Sequence, residues 1–290
     1  MNTRSLSSPA VYQVYPLAVL LSLAIILILM GLGLREPWPA DEPRFALIAR
    51  DMVETGQWFF PMRGGEIYPD KPPVFMWFIA LFYAMTGSLK VAFLLPSALA
   101  GMITVGLVYD LGRRLWSVNT GFIAGLLLLF TVQFTLQAKT AQIDALVCVF
   151  ITFGCYGLLR FLLIDGLWRW YFLAWFTMGL GIITKGVGFL PALMLLPYLA
   201  YRLIAKRDES ALPYQPSVWK WWLGPVVMLL AISLWFVPMY YLVSASDNPA
   251  LHAYRDNILF KQTVTRYADS WHHIKPFWYY LTSVIPVFWL

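Results

Sequence analysis

Charged residues are scarce in this sequence. Only 12% of its 290 residues are Asp, Glu, Lys or Arg, whereas 60% are hydrophobic and the mean hydropathy is +0.66. Soluble domains are roughly 45–50% apolar, and apolar runs near the roughly 18 residues that cross a bilayer recur along this chain. The shortage of charge therefore excludes a soluble domain with a single anchor and indicates a polytopic membrane protein.

Cysteine and histidine are also rare, and neither forms a recognisable metal-binding motif. Cys148 and Cys155 lie in one apolar run, and the rise of roughly 10 Å between them on a helix makes a disulfide implausible. Both are expected to pack among apolar neighbours. His272 and His273 are adjacent, but without a CxxC or HExxH context the pair is a weak metal signal on its own.

The sequence contains no Gly/Ser linker, low-complexity tract or evident internal repeat, so a single domain is expected over residues 1–290. The first apolar run, 11–34, has no small-x-small cleavage site and is expected to be a retained membrane span. The last run reaches Leu290 without a helix stop signal. The domain is therefore expected to be incomplete at its C-terminus.

The longer apolar runs predict eight membrane spans, and the short basic loops between them predict their orientation. Arg113 and Arg114 lie in one such loop and Arg202 in another, and cytoplasmic loops favour Lys and Arg. The N-terminus is then cytoplasmic, while segments 35–73 and 244–275 lie outside. These loops account for the net charge of +6, so nucleic acid is not an expected partner. The predicted spans are 15–34, 89–111, 119–137, 143–163, 168–184, 187–204, 221–243 and 275 onward.

The outer segment 35–73 concentrates the charges that are rare elsewhere. A loop that merely joined two helices would not need them, so the segment is predicted to be a catalytic or ligand-binding loop at a membrane surface. Its acidic and basic residues are Arg35, Glu36, Asp41, Glu42, Arg44, Arg50, Asp51, Glu54, Arg63, Glu66, Asp70 and Lys71.

A helix is predicted inside this outer segment. Asp41 or Glu42 is expected to cap its start and Gly56 to end it. The residues Phe45, Ile48, Ala49 and Met52 follow helical spacing, which predicts an amphipathic helix lying on the membrane or against the bundle. The apolar run that follows, 74–86, is too short to span and is expected to lie at the interface or to re-enter.

Two acidic motifs in the segment are candidate site residues, and each has a structural alternative. The pair Asp41-Glu42 could supply carboxylates to the reaction, or could satisfy free N–H groups at a helix start. The pair Asp70-Lys71 could combine an ion-binding carboxylate with a phosphate-binding ammonium, or Lys71 could anchor the chain at the interface.

Ionisable residues at the outer ends of later spans are further candidates. Asp144 stands at the mouth of a span, where a carboxylate is costly unless it faces protein or water; Lys139 in the same turn is its expected partner. Lys185 ends another apolar run beside Gly186, and its alternative is a lysine that extends to the interface. Arg266 and the histidine pair precede aromatics that could form an interfacial belt.

The order of these motifs resembles a known family. DEPRFALIARDM, GEIYPDKPPVFMWFIA, AQIDALVCVF, GLGIITKG and HxxPFWYY together resemble the bacterial aminoarabinose transferase and protein mannosyltransferase superfamily, which are GT-C-type integral membrane glycosyltransferases. The resemblance covers about residues 37–280. It implies an all-α fold, a polytopic membrane helix bundle of GT-C type with a periplasmic amphipathic helical loop after the first span.

The resemblance also implies substrates and location. The expected partners are a polyprenyl-phosphate sugar donor, a periplasmic lipid or protein acceptor, and membrane lipids, in a bacterial inner membrane with the active face in the periplasm. The family's first-loop acid falls on Asp41, its acid–lysine pair on Asp70 and Lys71, and its span-mouth acid on Asp144. The histidine before its Pro-aromatic run falls on His273. Aminoarabinose transferases have Glu where this chain has Asp70.

Sugar transfer from a phosphate carrier needs a base for the acceptor and positive groups for the leaving phosphate. Candidate catalytic residues are Asp41, Glu42 and Asp144; candidate phosphate-binding residues are Lys71, Lys185, Arg44 and Arg266; Asp70 and His273 are candidate ligands of a divalent metal ion, which is the one candidate cofactor. A transporter or flippase, or a non-catalytic assembly protein, is the alternative. Transporters place ionisable residues near the bilayer midplane, whereas these charges lie at the membrane's outer edge, which favours an enzyme.

Overall fold

The structure is a computed structural model that describes residues 9–204, 219–260 and 275–285. It is a helical bundle with one short β-hairpin, which confirms the predicted all-α class. In the N-terminal half the helices are α1 (Pro9–Ala24, extended by a π turn over Ile25–Leu29), α2 (Asp41–Thr55), α3 (Val74–Thr86), α4 (Leu89–Ala92), α5 (Leu95–Leu115), α6 (Val118–Phe130) and α7 (Val132–Ala138), and the hairpin pairs β1 (Met62–Arg63) with β2 (Glu66–Ile67).

The second half continues the bundle. Its helices are α8 (Ile143–Leu159, extended by a π turn over Arg160–Ile164), α9 (Trp168–Lys185), α10 (Leu195–Ile204, preceded by a 3-10 turn over Leu190–Met194), α11 (Lys220–Ser244) and α12 (Pro249–Asp256), and a π turn covers Tyr280–Val284. Helices therefore lie at the first seven predicted spans. Of the predicted last span, 275 onward, the described part is short.

Among the residues that the structure describes, three helical segments are long and apolar enough to cross a membrane by themselves, namely Leu89–Leu115, Ile143–Ile164 and Lys220–Ser244. A fourth span exists if α6 and α7 are counted together, although they meet at an angle of 72°. The predicted span over 119–137 therefore consists of two helices that meet at a bend. Thr131 between α6 and α7 has an extended backbone (φ −66°, ψ 113°). The sequence from Leu126 to Ala138 contains no Pro or Gly that would indicate this break.

Glycines allow the central helices to approach closely. A Cβ on Gly112 of α5 would lie 2.8 Å from the Cα of Gly121 in α6, and a Cβ on Gly157 of α8 would lie 2.6 Å from the carbonyl oxygen of Trp170 in α9. Small residues at such crossings let helix backbones pack against each other in membranes. The packed pairs α5 with α6, α5 with α8, α8 with α9 and α9 with α11 form the frame that carries the outer loops.

The outer loop after α1 folds back onto this frame. Helix α2 buries its predicted stripe of Phe45, Ile48, Ala49 and Met52, and the ring of Phe45 meets that of Phe75 in α3 edge-to-face at 5.5 Å. The helix thus lies against the bundle, which is one of the two predicted placements. Its C-cap is Gly56 with φ +74°, as predicted.

The predicted start of α2 needs a correction. Its N-cap is Ala40, and no side chain caps it. Asp41 and Glu42 are the first two helical residues instead. Their carboxylates form ion pairs, Asp41 with Arg44 and Glu42 with Arg35, and are not used as caps.

Candidate active site

A cleft of about 330 Å³ opens at one end of the bundle, where the outer loop meets the ends of two central helices. Helix α2 forms one wall, the irregular segment after β2 forms another, and the N-terminus of α8 with the C-terminus of α9 completes it. The lining residues are Asp41, Arg44, Phe45, Tyr68, Asp70, Lys71, Gln142, Ile143, Asp144 and Lys185.

Six of the nine site residues predicted from the sequence line this cleft, and they come from four separate segments of the chain. They comprise three carboxylates and three cations: Asp41, Asp70, Asp144, Arg44, Lys71 and Lys185. The cleft is therefore of mixed charge, with both acidic and basic groups reaching the same space.

Asp144 and Lys185 form an ion pair across the cleft. Asp144 lies in the first turn of α8, and Lys185 is the last residue of α9, which ends because Gly186 adopts a left-handed conformation with φ +85°. The prediction that Lys139 pairs with Asp144 was wrong. Packing of α8 on α9 brings Lys185 to Asp144, whereas the backbone carbonyl of Lys139 accepts a hydrogen bond from Arg35.

Arg44 is held between an acid and a ring. Its guanidinium lies 3.4 Å from the Asp41 carboxylate, donates a hydrogen bond of 3.3 Å to the Tyr68 hydroxyl, and stands 5.4 Å from the centre of the Tyr68 ring. The hydrogen bond to Tyr68 raises the pKa of Arg44 despite partial burial. The guanidinium thus carries a permanent positive charge at a fixed place in the cleft.

Tyr68 was not among the residues predicted from the sequence. Its side chain is buried, and this burial raises the pKa of its hydroxyl above the ordinary value, although the contact with Arg44 opposes the shift. The hydroxyl therefore stays protonated and remains a hydrogen-bond donor in the cleft. Its position two residues before Asp70 is the one sequence signal that could have indicated it.

Glu42 occupies a different place from its neighbour Asp41. Its side chain is only 2% exposed and is not among the residues that line the cleft. Its two oxygens accept bonds of 2.7 Å each from both terminal nitrogens of Arg35, one of 2.6 Å from the Trp38 N–H and one of 2.8 Å from the Ala141 N–H.

This arrangement keeps Glu42 ionised. Burial raises the pKa of Glu42, but the hydrogen bonds from Arg35, Trp38 and Ala141 outweigh it and hold the pKa below the ordinary value. Glu42 joins α2 to the turn before α8, and so fixes Asp41 relative to Asp144. Glu42 therefore lies behind the cleft in a position that suits a structural support, and its predicted catalytic role stays a prediction.

The remaining candidates concern the second outer loop, residues 244–275, and the metal. Arg266 and His273 lie outside the described residues. Within the ranges that the structure describes, no three His, Cys, Asp or Glu side chains are gathered closely enough to bind a metal ion. Asp70 alone does not make such a site, so the divalent metal stays a prediction.

The chain is similar to known proteins in both sequence and fold. A family model described as dolichyl-phosphate-mannose-protein mannosyltransferase matches residues 70–237. Undecaprenyl phosphate-alpha-4-amino-4-deoxy-L-arabinose arabinosyl transferase 1 of Pseudomonas fluorescens is 31% identical, over 91% of this chain and 47% of its own length. An uncharacterized protein of Aquifex aeolicus is 30% identical, over 74% of this chain and 42% of its own.

Solved structures agree in fold. The apo crystal structure of ArnT from Cupriavidus metallidurans superimposes with a TM-score of 0.73 at 25% identity, and the match covers 96% of this chain and 48% of that one. A second structure of the same protein, bound to undecaprenyl phosphate, shares the fold with a TM-score of 0.69 at 22% identity. This chain spans about half the length of the curated relatives that it matches.

Proposed function

Because this chain belongs to the dolichyl-phosphate-mannose-protein mannosyltransferase family, we propose that it is a membrane glycosyltransferase that moves a sugar from a polyprenyl-phosphate donor to a lipid or protein acceptor. The observation that carries the proposal is the mixed-charge cleft. Three carboxylates and three cations from distant segments meet there at one end of a multi-pass helix bundle.

The donor class follows from what the relatives share. The family description names mannose on dolichyl phosphate, while the P. fluorescens relative is named for aminoarabinose on undecaprenyl phosphate. The sugars differ, but both carriers are long apolar chains that end in a phosphate. We therefore assign the lipid phosphate and leave the sugar open. The proposed location is a bacterial inner membrane with the cleft and the acceptor on the periplasmic side.

The cations of the cleft suit the leaving lipid phosphate. Lys71, Lys185 and Arg44 approach from three different segments, and hydrogen bonds between cations and phosphate oxygens are among the stronger ones in proteins. Arg266, from the second outer loop, is proposed to join them. Negative charge grows on the phosphate as its bond to the sugar breaks, so these contacts strengthen toward the transition state.

Asp41 is the proposed base. Its side chain is 46% exposed at the cleft, beside Arg44 at 3.4 Å. An acceptor oxygen forms the new bond to the anomeric carbon, the bond from that carbon to the phosphate oxygen breaks, and the acceptor's proton passes to the Asp41 carboxylate. Asp144 is proposed to hold Lys185 in place, and Asp70 to bind the acceptor or a metal ion. No step of this scheme passes through a metal.

A transporter or flippase remains the second candidate, and the placement of charge argues against it. The ionisable residues of the three long spans lie within about two turns of a span end, as with Asp110, Asp144, Arg160 and Lys220. Transporters place such groups near the bilayer midplane on broken helices. The α6–α7 pair is bent, but its two helices contain no Asp, Glu, Lys or Arg.

The first test separates binding of the lipid phosphate from other roles of Lys71. Lys71→Met keeps much of the apolar stem and removes the charge. We expect affinity for undecaprenyl phosphate to fall roughly 10-fold or more, since one charge-assisted hydrogen bond is worth about 1.5–3 kcal/mol. Lys90→Met is the matched control, because Lys90 is 67% exposed and pairs with Glu36 at 3.2 Å. Equal affinities of the two variants would remove Lys71 from the phosphate site.

The second test addresses the base. Asp41→Asn keeps the size of the side chain but removes the carboxylate, so transfer should slow roughly 10²–10⁴-fold while donor affinity changes little. Asp51→Asn is the control, ten residues along the same helix and paired with Arg50 at 3.3 Å. Transfer at the wild-type rate by the Asp41 variant would refute its role. A wild-type protein that binds no lipid phosphate but moves a solute across vesicles would refute the glycosyltransferase itself.

A further inference from the structure

The segment that carries Asp70 and Lys71 has no regular secondary structure of its own. It runs from the end of β2 at Ile67 to the start of α3 at Val74. The N–H of Tyr68 donates to the Pro61 carbonyl at 2.8 Å and fixes the beginning of the segment. The backbone beside Asp70 and Lys71 must therefore be held by contacts from other elements.

Two of those contacts come from the second outer loop. The side-chain Nδ2 of Asn257 donates a hydrogen bond of 2.8 Å to the Pro69 carbonyl, and the hydroxyl of Tyr254 lies 3.5 Å from the Lys71 carbonyl as a weaker donor. Residues three apart on a helix share a face. The C-terminal end of α12 thus contacts the backbone on both sides of Asp70.

Helix α12 is itself firmly placed. Asn248 caps its N-terminus through a bond of 3.0 Å from the Ala250 N–H. Tyr254 is only 1% exposed, and its ring meets that of Phe60 edge-to-face at 5.6 Å. The helix therefore provides a fixed support on which the segment around Asp70 rests.

We propose that Asn257 is a positioning residue that, together with Tyr254, sets the backbone of residues 69–71 so that Asp70 and Lys71 face Asp144 and Lys185 across the cleft. The inference rests on the proposed function. It adds that the acid–lysine pair is supported by α12, an element that lies far from it in sequence.

The side chain of Asn257 suits a clean test. Its Oδ1 is buried and has no hydrogen-bond partner among the described residues, so Asn257→Leu keeps the branched shape and removes the Nδ2 donor without leaving a buried charge. Asn257→Gln keeps a donor on a longer arm. Asn248→Ala weakens α12 by loss of its cap but leaves the bond to Pro69 intact. It is the control that shows how destabilising the helix alone affects phosphate affinity and transfer.

The experiment measures undecaprenyl phosphate affinity, transfer rate and melting midpoint for the full-length protein in detergent. We expect Asn257→Leu to bind the lipid phosphate roughly 2- to 10-fold more weakly and to transfer more slowly, since one neutral hydrogen bond is lost. Its melting midpoint should stay close to that of the wild type, and Asn257→Gln should restore part of the affinity. Asn248→Ala should show a lower melting midpoint with unchanged affinity.

A double-mutant cycle tests whether Asn257 affects phosphate affinity through Lys71. If Asn257 acts through Lys71, then Asn257→Leu should cost little further affinity in a Lys71→Met background. Additive losses, or wild-type affinity and rate in Asn257→Leu, would overturn the positioning role. The failure of the proposed function gives a different result, because the wild-type protein would then bind no undecaprenyl phosphate at all.

Discussion

At the scale of single residues, Asp41 and Glu42 are adjacent on α2 but have different surroundings. Successive side chains on a helix point about 100° apart. Asp41 therefore reaches the cleft with 46% of its side chain exposed, whereas Glu42 turns inward and is 2% exposed. The sequence shows two adjacent acids but does not indicate which one is buried. That depends on the positions of Arg35 and the N–H of Ala141, which are set by tertiary contacts.

The positioning role of Glu42 predicts a large effect on stability. The N–H groups of Trp38 and Ala141 bond to different oxygens of Glu42, so Glu42→Gln would place an amide NH₂ against one of these donors and leave Arg35 without its acid. Breaking a buried pair from one side costs about 3–5 kcal/mol, so the melting midpoint in detergent should fall clearly. Glu36→Gln is the control, because its pair with Lys90 is exposed and such pairs contribute little. Equal midpoints for the two variants would contradict the role.

The same residue predicts a dependence of stability on pH. The folded pKa of Glu42 lies below the ordinary value of 4.5. Its contribution is therefore fully present above pH 4.5 and is lost as the pH falls through the lowered folded pKa. The melting midpoint of the wild type should decrease in that acidic window. In Glu42→Gln this part of the decrease should be absent, and an unchanged pH profile in that variant would refute the assignment.

At the scale of helices and loops, periodicity predicted what is local. The stripe on α2, its end at Gly56 and the short apolar helix after it were all predicted, because each depends on spacing within a few turns. The break at Thr131 and the pairing of Asp144 with Lys185 were missed. The pairing depends on the packing of α8 on α9, and the sequence around Thr131 contains no Pro or Gly that would indicate a break.

The close crossing of α5 and α6 gives a prediction with a control in the same helix. Gly112→Ala would place a Cβ 2.8 Å from the backbone of Gly121, whereas a Cβ on Gly106 meets nothing within 4 Å. We expect Gly112→Ala to lower the melting midpoint, since overpacking costs roughly 1–3 kcal/mol. Gly106→Ala should leave it unchanged or raise it through better helix propensity. A Gly112 variant as stable as the Gly106 variant would show that the two helices are not in tight contact.

At the scale of the whole molecule, the gathering of charged residues at one end of the bundle could be predicted from the sequence, and the geometry of the cleft could not. The clustering of polar residues on one side indicated a site on the outer face. Which of them meet depends on how α2, α8, α9 and the segment after β2 converge, as with Tyr68, which has no motif of its own. The burial of Glu42 and the place of Tyr68 in the cleft could not be predicted for the same reason: both depend on tertiary contacts.

Orientation decides which compartment supplies the acceptor, so it is the prediction on which the periplasmic assignment depends. Glu66 is exposed on the β-hairpin beside the cleft, and Asn119 is exposed at the start of α6, next to Arg113 and Arg114. Short loops rich in Arg stay in the cytoplasm. Glu66→Cys should therefore react with a membrane-impermeant maleimide in intact spheroplasts, and Asn119→Cys should react only after the membrane is broken.

The background for this labelling replaces Cys148 and Cys155, the only two cysteines of the chain, by Ala, so that all labelling reports the introduced thiol. Glu66 is a better position than the turn residues Gly64 and Gly65, whose φ angles of +61° and +86° would strain any side chain. Labelling of Asn119→Cys alone in intact spheroplasts would place the cleft in the cytoplasm. Asp41 and Lys71 would then face cytoplasmic acceptors. This result would contradict the proposed periplasmic transfer but not the fold.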